Sequence, residues 1–95
     1  MDRSMILDFL RNNKDTLAQE YGVVKIGLFG SYANELQHEG SDIDIAIVTN
    51  KKDYFNREDL REYLEHHFGA SVDIGYLDSF RSYYRAQIEK EIIYV

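Results

Sequence analysis

The chain contains no cysteine, no proline and no tryptophan. Without cysteine there can be no disulfide and no thiolate metal site, so any metal chemistry must use other donors. Without proline, and without a low-complexity stretch or a repeat, no linker divides the sequence. One domain over residues 1–95 is therefore expected. No apolar run approaches the about 18 residues that a membrane-spanning helix needs. The opening stretch MDRSMILDFLRNN is mixed in charge and lacks the basic start of a signal peptide, so no membrane association and a cytoplasmic location are expected. Positive charge is also scarce, with 11 Lys and Arg against 17 Asp and Glu and a net charge of −6. A nucleic-acid binder needs a basic stripe to neutralise phosphates, so direct nucleic-acid binding is not expected. A single nucleotide held through bound cations stays compatible with this charge.

The 95 residues are 44% hydrophobic, with eight Tyr and five Phe supplying bulk. Ile6, Phe9, Leu10, Leu17 and Tyr21 fall near one helical face, which predicts a first helix from about Asp2 to Glu20, stopped by Gly22. VVKIGLF (Val23–Phe29) reads as a buried strand ending at Gly30. SYANEL allows one helical turn, and SDIDIAIV (Ser41–Val48) is a second strand. A helix capped by Asn56, with Leu60, Tyr63 and Leu64 inward, runs to Gly69. SVDIGYL (Ser71–Leu77) is a third strand, Ser79 caps a last helix, and IIYV (Ile92–Val95) closes as a fourth strand. The short return between the first two strands makes them antiparallel. The helix between the second and third suggests a parallel crossover. The expected fold is α+β, a mixed sheet of about four strands with helices packed mainly on one face.

Within the second strand Asp42 and Asp44 alternate with Ile43, Ile45 and Ile47. Asp is depleted in strands, and like charges on one face repel. Residues two apart on a strand point the same way, about 6.6–7 Å apart, so both carboxylates address one small volume. Asp73, between Val72 and Ile74, shows the same alternation, and a parallel third strand brings it to the same edge. Three carboxylates there call for hard cations. Mg²⁺ fits best where substrate phosphates complete its shell, and two such ions can serve an in-line displacement at phosphorus. Gly30 lets backbone approach a ligand closely, and Ser31 offers a hydroxyl and N–H groups to a phosphate. The combination reads as nucleotidyl or phosphoryl transfer.

The stretch GSYANELQHEGSDID resembles the signature of the DNA polymerase beta-like nucleotidyltransferases: Gly-Ser, ten residues, then Asp-x-Asp. Here the ten run from Tyr32 to Ser41. Asp73 falls where that family has its third carboxylate, and AQIEKEIIYV looks like the ending of its minimal nucleotidyltransferase (MNT) subfamily. The resemblance covers nearly the whole chain. It implies that Asp42 and Asp44 bind two Mg²⁺ ions, for which Mn²⁺ can substitute, that Asp73 completes the site, and that Gly30 and Ser31 hold the phosphates of an NTP, ATP by preference. It also implies a helical HEPN partner, a toxin on whose tyrosine AMP is placed, with this chain as antitoxin. The alternative is a feeble site on a binding module that neutralises its partner by occlusion, for which an apolar patch around Tyr83, Tyr84 and Tyr94 would serve.

Two positions depart from the family pattern. A basic residue and then Gly often follow GSxA, where this chain has Asn34 and Glu35. Loss of a cation should weaken triphosphate binding, Glu35 adds the wrong charge if it faces the site, and Glu resists the positive φ that Gly allows. His38 reads as a surface loop residue, His66 and His67 as a solvated helix end, and Tyr83–Tyr84 as core plus rim.

Overall fold

A computed structural model describes all residues 1–95. The order is α1 (Arg3–Asn12), α2 (Lys14–Tyr21), β1 (Val23–Phe29), α3 (Gly30–Ala33), β2 (Ile43–Thr49), α4 (Tyr54–Phe68), β3 (Val72–Tyr76), a 3₁₀ turn (Leu77–Ser79), α5 (Ser82–Glu91) and β4 (Ile93–Tyr94). The four strands form one sheet in the order β3-β2-β1-β4. β1 pairs antiparallel with β2 and with β4, and β2 pairs parallel with β3. The expected mixed sheet and both strand directions are present.

Strand alternation divides the sheet into two unlike faces. Ile26 and Leu28 of β1, Ile43, Ile45 and Ile47 of β2, and Val72 and Ile74 of β3 join a core with Ile6, Leu10, Leu17, Leu60, Leu64 and Phe68 from α1, α2 and α4. The opposite face carries a row of small residues in register, Gly27–Ala46–Gly75. Side chains close directly onto that row. The Phe80 ring lies over Gly75 and the Ile92 side chain over Gly27, in the space a Cβ would need.

The structure corrects several element boundaries. The single first helix is two helices, broken at Asn13 (φ −114°, ψ 19°). The Asn13 side chain donates to the Phe9 carbonyl at 2.8 Å, a local bond that competes with regular helix. Asp53, not Asn56, caps α4. Its carboxylate accepts the Asn56 N–H at 2.9 Å. Ser79 does not cap α5, because it belongs to the 3₁₀ turn. Phe80 is extended and α5 begins at Ser82. Docking of the Phe80 ring on Gly75, edge-on to Phe29 at 5.9 Å, draws that residue out of the helix. The fourth strand is shorter than expected, with Ile92 capping α5 and the Val95 N–H donating to the Ile26 carbonyl at 3.1 Å. His67 is exposed but not merely solvated. Its ring lies 4.8 Å from those of both Phe9 and Tyr63, joining α1 to α4. Tyr83 and Tyr84 are 70% and 58% exposed, so neither belongs to the core.

Asn56 is the one polar side chain in the buried set. Its amide donates to the carbonyls of Tyr21, at 2.8 Å, and Lys51, at 3.0 Å, tying the end of α2 to the segment entering α4. Replacement by Ala leaves two carbonyls without their donor. Asn56→Ala should cost about 1–3 kcal/mol in urea denaturation, whereas loss of a solvated Asn would cost almost nothing.

Candidate active site

The candidate site forms where β1 ends beside the starts of β2 and β3. In the register of the sheet Phe29, Asp44 and Asp73 stand side by side, one row beyond the small residues and on the same face. Parallel pairing of β2 with β3 thus sets two carboxylates on neighbouring strands. Asp42 lies just before β2 rather than within it, and is exposed, as is Asp73. Asp44 is half-buried. β3 is held at its free edge by Glu65, whose carboxylate accepts the Val72 N–H at 2.9 Å. That bond, with Arg61 alongside, holds Glu65 below the usual carboxylate range.

Asp44 is pushed up to about 6, first by burial and then by the charges of Asp73, Asp42 and Glu91. The donors here are all oxygens and nothing neutralises them, which is the chemistry a hard divalent cation suits. No three carboxylates close tightly enough to enclose an ion by themselves. A cation on Asp44 and its neighbours would need further oxygen ligands from outside the chain. The expected convergence is therefore one of adjacency, in an open site.

Gly30 follows Phe29 with φ +75°, and the Asp44 carboxylate fills the space its Cβ would occupy. Both the left-handed conformation and the close approach demand glycine here. Ser31 is the second residue of α3 and half-buried. The turn is tied to α5 by Glu91. Its carboxylate accepts the Gly30 N–H at 3.1 Å and the Asn34 side-chain amide at 2.9 Å, and that amide also donates to the Gly30 carbonyl at 3.2 Å. Sequence reasoning missed Glu91. The contact spans 61 residues, and a lone Glu at a helix end carries no local signal. Beside the turn an open recess of about 530 Å³ is lined by Phe29, Gly30, Tyr84, Gln87, Ile88, Lys90 and Glu91.

The two departures from the family pattern resolve differently. Glu35 does adopt positive φ, at 58°, and is the only residue other than glycine to do so. Its carboxylate pairs with Arg3 at 3.1 Å, and Arg3 also donates to the Ala33 carbonyl at 3.1 Å. The charge of Glu35 is thus matched by Arg3. Asn34 does not stand free beside the site, because its amide is engaged by Gly30 and Glu91. His38 is an exposed loop residue whose ring contacts the Glu39 carbonyl at 2.8 Å.

In-register carboxylates on neighbouring strands, a glycine turn pressed against one of them and an open recess alongside are the layout of a nucleotidyl- or phosphoryl-transfer fold. Comparison with known proteins agrees. The chain belongs to the nucleotidyltransferase domain family, whose sequence profile matches residues 10–95. The Methanocaldococcus jannaschii protein named "Putative protein adenylyltransferase MJ0128" is 38% identical over 94 residues, covering 97% of this chain and 96% of that protein. Protein adenylyltransferase MntA of Thermococcus cleftensis is 33% identical over 91 residues, covering 95% of this chain and 92% of its own. A solved toxin–antitoxin structure with AMP-PNP contains a chain 28% identical, with a TM-score of 0.72 over 99% of this chain and 72% of that one. The chain is a nucleotidyltransferase of the minimal kind.

Two tests follow from the geometry. Burial and crowding raise Asp44, so its charged form is disfavoured in the folded protein. Its contribution is favourable below the ordinary carboxylate value and is lost as pH rises through about 6. In metal-free buffer Asp44→Asn should therefore be more stable than wild type at pH 7. The gap should narrow on acidification through pH 6 and close near pH 4, read from urea melts at each pH. Glu35→Gly should raise stability by up to about 1 kcal/mol, since relief of a left-handed side chain outweighs an exposed ion pair. Chemical denaturation of the variant checks the sign.

Proposed function

We propose that the chain transfers AMP from ATP to a hydroxyl of a partner protein, a HEPN-type toxin, in a Mg²⁺-dependent reaction, and that this transfer is how it acts as an antitoxin. The observation that carries the reading is the in-register pair Asp44–Asp73, with Asp42 close by, set against the Gly30 turn. The names of the relatives, two protein adenylyltransferases and a toxin–antitoxin complex with an ATP analogue, support the choice of AMP and of a protein acceptor.

Asp42 and Asp44 would hold the divalent ions, with Asp73 completing the set. Mn²⁺ would substitute for Mg²⁺, because the donors are oxygens. Bound there, the ions would neutralise the triphosphate and lower the pKa of the attacking hydroxyl. The chain's own contribution is placement. Gly30 admits the phosphates close to the backbone, and Ser31 offers its hydroxyl and amide to them. Asp73, the exposed member of the row, accepts the proton of the acceptor hydroxyl. The acceptor oxygen bonds to the α-phosphorus, the bond from that phosphorus to the bridging oxygen breaks, and pyrophosphate leaves. The tyrosine of a HEPN partner is the acceptor the resemblance implies. The recess is open, which fits an acceptor presented by another protein.

Labelled ATP, Mg²⁺, this protein and the product of a neighbouring HEPN gene should yield labelled partner. Asp73→Asn should lower transfer by about 10²–10⁴-fold while sparing Mg·ATP affinity, since the hydroxyl loses its proton acceptor. Asp42→Asn with Asp44→Asn should also abolish the rise in melting temperature that Mg²⁺ gives the wild type. If no variant or wild type transfers label but all inhibit the partner equally, the transfer reading fails and the chain works by occlusion.

A further inference from the structure

α3 is a single turn, too short to hold its shape by its own hydrogen bonds. It is held from outside, by Arg3, which donates to the Ala33 carbonyl at 3.1 Å, and by Glu91, the one side chain that reaches both of its ends. The two carboxylate oxygens of Glu91 take one donor from each end of it, the Gly30 N–H at 3.1 Å and the Asn34 amide at 2.9 Å. Asn34 reaches back to the Gly30 carbonyl at 3.2 Å, so the ends are also joined to each other. Glu91 is itself anchored. It ends α5, and two residues later β4 pairs with β1 through Leu28↔Ile93 and Gly27↔Tyr94, on the strand that leads into the turn. An anion beside Asp44 is electrostatically unfavourable, because like charges repel. The carboxylate stays because it meets two donors.

We propose that Glu91 is a positioning residue for nucleotidyl transfer, a clamp whose carboxylate bridges Gly30 and Asn34 and fixes the turn that the substrate phosphates meet. The proposal rests on the reading of Gly30 and Ser31 as the phosphate-holding pair. The same carboxylate has a second, opposite effect, because its charge repels a triphosphate. The clamp outweighs the repulsion: without it the turn must be ordered at the moment of binding, and ordering even one backbone residue weakens affinity about tenfold.

Three variants separate the effects, Glu91→Ala, Glu91→Gln and Asn34→Ala. Each is followed by hydrogen exchange at the Gly30 amide without ligand, by calorimetric affinity for ATP with Mg²⁺, and by the melting-temperature rise with Mg²⁺ alone. Glu91→Ala should exchange the Gly30 amide faster and bind Mg·ATP about tenfold more weakly, while Mg²⁺ alone still raises its melting temperature. Glu91→Gln keeps an acceptor for the Gly30 N–H and should lie between Ala and wild type. Asn34→Ala, an exposed change that carries the test if Glu91→Ala fails to fold, should also weaken Mg·ATP although the anion remains. Tighter Mg·ATP binding in both Glu91 variants would overturn the clamp and make the carboxylate a rival of the phosphates. Unchanged exchange and affinity in Glu91→Ala would overturn it as well. A wild type that binds no Mg·ATP would instead refute the nucleotide reading and take the positioning role with it. Wild-type binding with no response to the variants sinks Glu91 alone.

Discussion

The register of β2 is the constraint on which the rest depends. This strand is bonded on one side to β1, antiparallel, and on the other to β3, parallel. Its alternation sends Ile43, Ile45 and Ile47 into the core and Asp44 and Ala46 to the other face. A slip of one residue would place the carboxylate among α1, α2 and α4 and force three isoleucines onto the face of small residues that Phe80 and Ile92 cover. The core therefore fixes the carboxylate row. The apolar residues that make the fold stable also decide which strand neighbour each Asp faces.

That arrangement carries an electrostatic cost, and the fold contains it rather than removing it. Asp42 and Asp73 stay exposed, where water screens them. Asp44 is pressed inward, against Gly30, and burial pushes its carboxyl up. Elsewhere acidic groups are matched: Glu65 by the Val72 amide and Arg61, Asp78 by Lys52, Glu35 by Arg3. A half-buried carboxylate with no cationic partner, crowded by others of its own sign, marks a place kept for a ligand of opposite charge.

Much of this was legible in the sequence. Alternating Ile and Asp gave both the strand and its faces, and the spacing of Gly30–Ser31 to Asp42 and Asp44 resembled a family to which the chain belongs. The stops at Gly22 and Gly69 were read correctly. What escaped was set by contacts rather than by pattern. The break at Asn13 depends on one side-chain bond to Phe9. Asn56 looks like a cap because its residue type is common there, yet Asp53 three positions earlier already supplies the oxygen and turns Asn56 inward. Phe80 fits a helical stripe until Gly75 offers it a seat on the sheet. Tyr83 and Tyr84 look like core plus rim until the helix that bears them turns that side outward. Glu91 is visible only once β4 is paired with β1, which brings the end of α5 to the turn after Phe29.

The path between β1 and β2 leaves the sheet after Phe29 and returns at Asp44, and those two residues are partners in the register. The excursion is thus a closed detour. Its exposed middle can change in length at little entropic cost, whereas Tyr32 and Ala33 near its start are buried in the core. The carboxylates Asp44 and Asp73 belong to the sheet, whereas Gly30, Ser31, Asn34 and Glu35 belong to the detour. Asp42 lies on the detour too, so on the proposed reading the detour would bring one metal ligand together with the phosphate-holding pair, and the sheet the other two carboxylates. A designer who grafts a relative's detour onto this sheet must therefore keep the carboxylate at Asp42 and the apolar pair that Tyr32 and Ala33 set into the core.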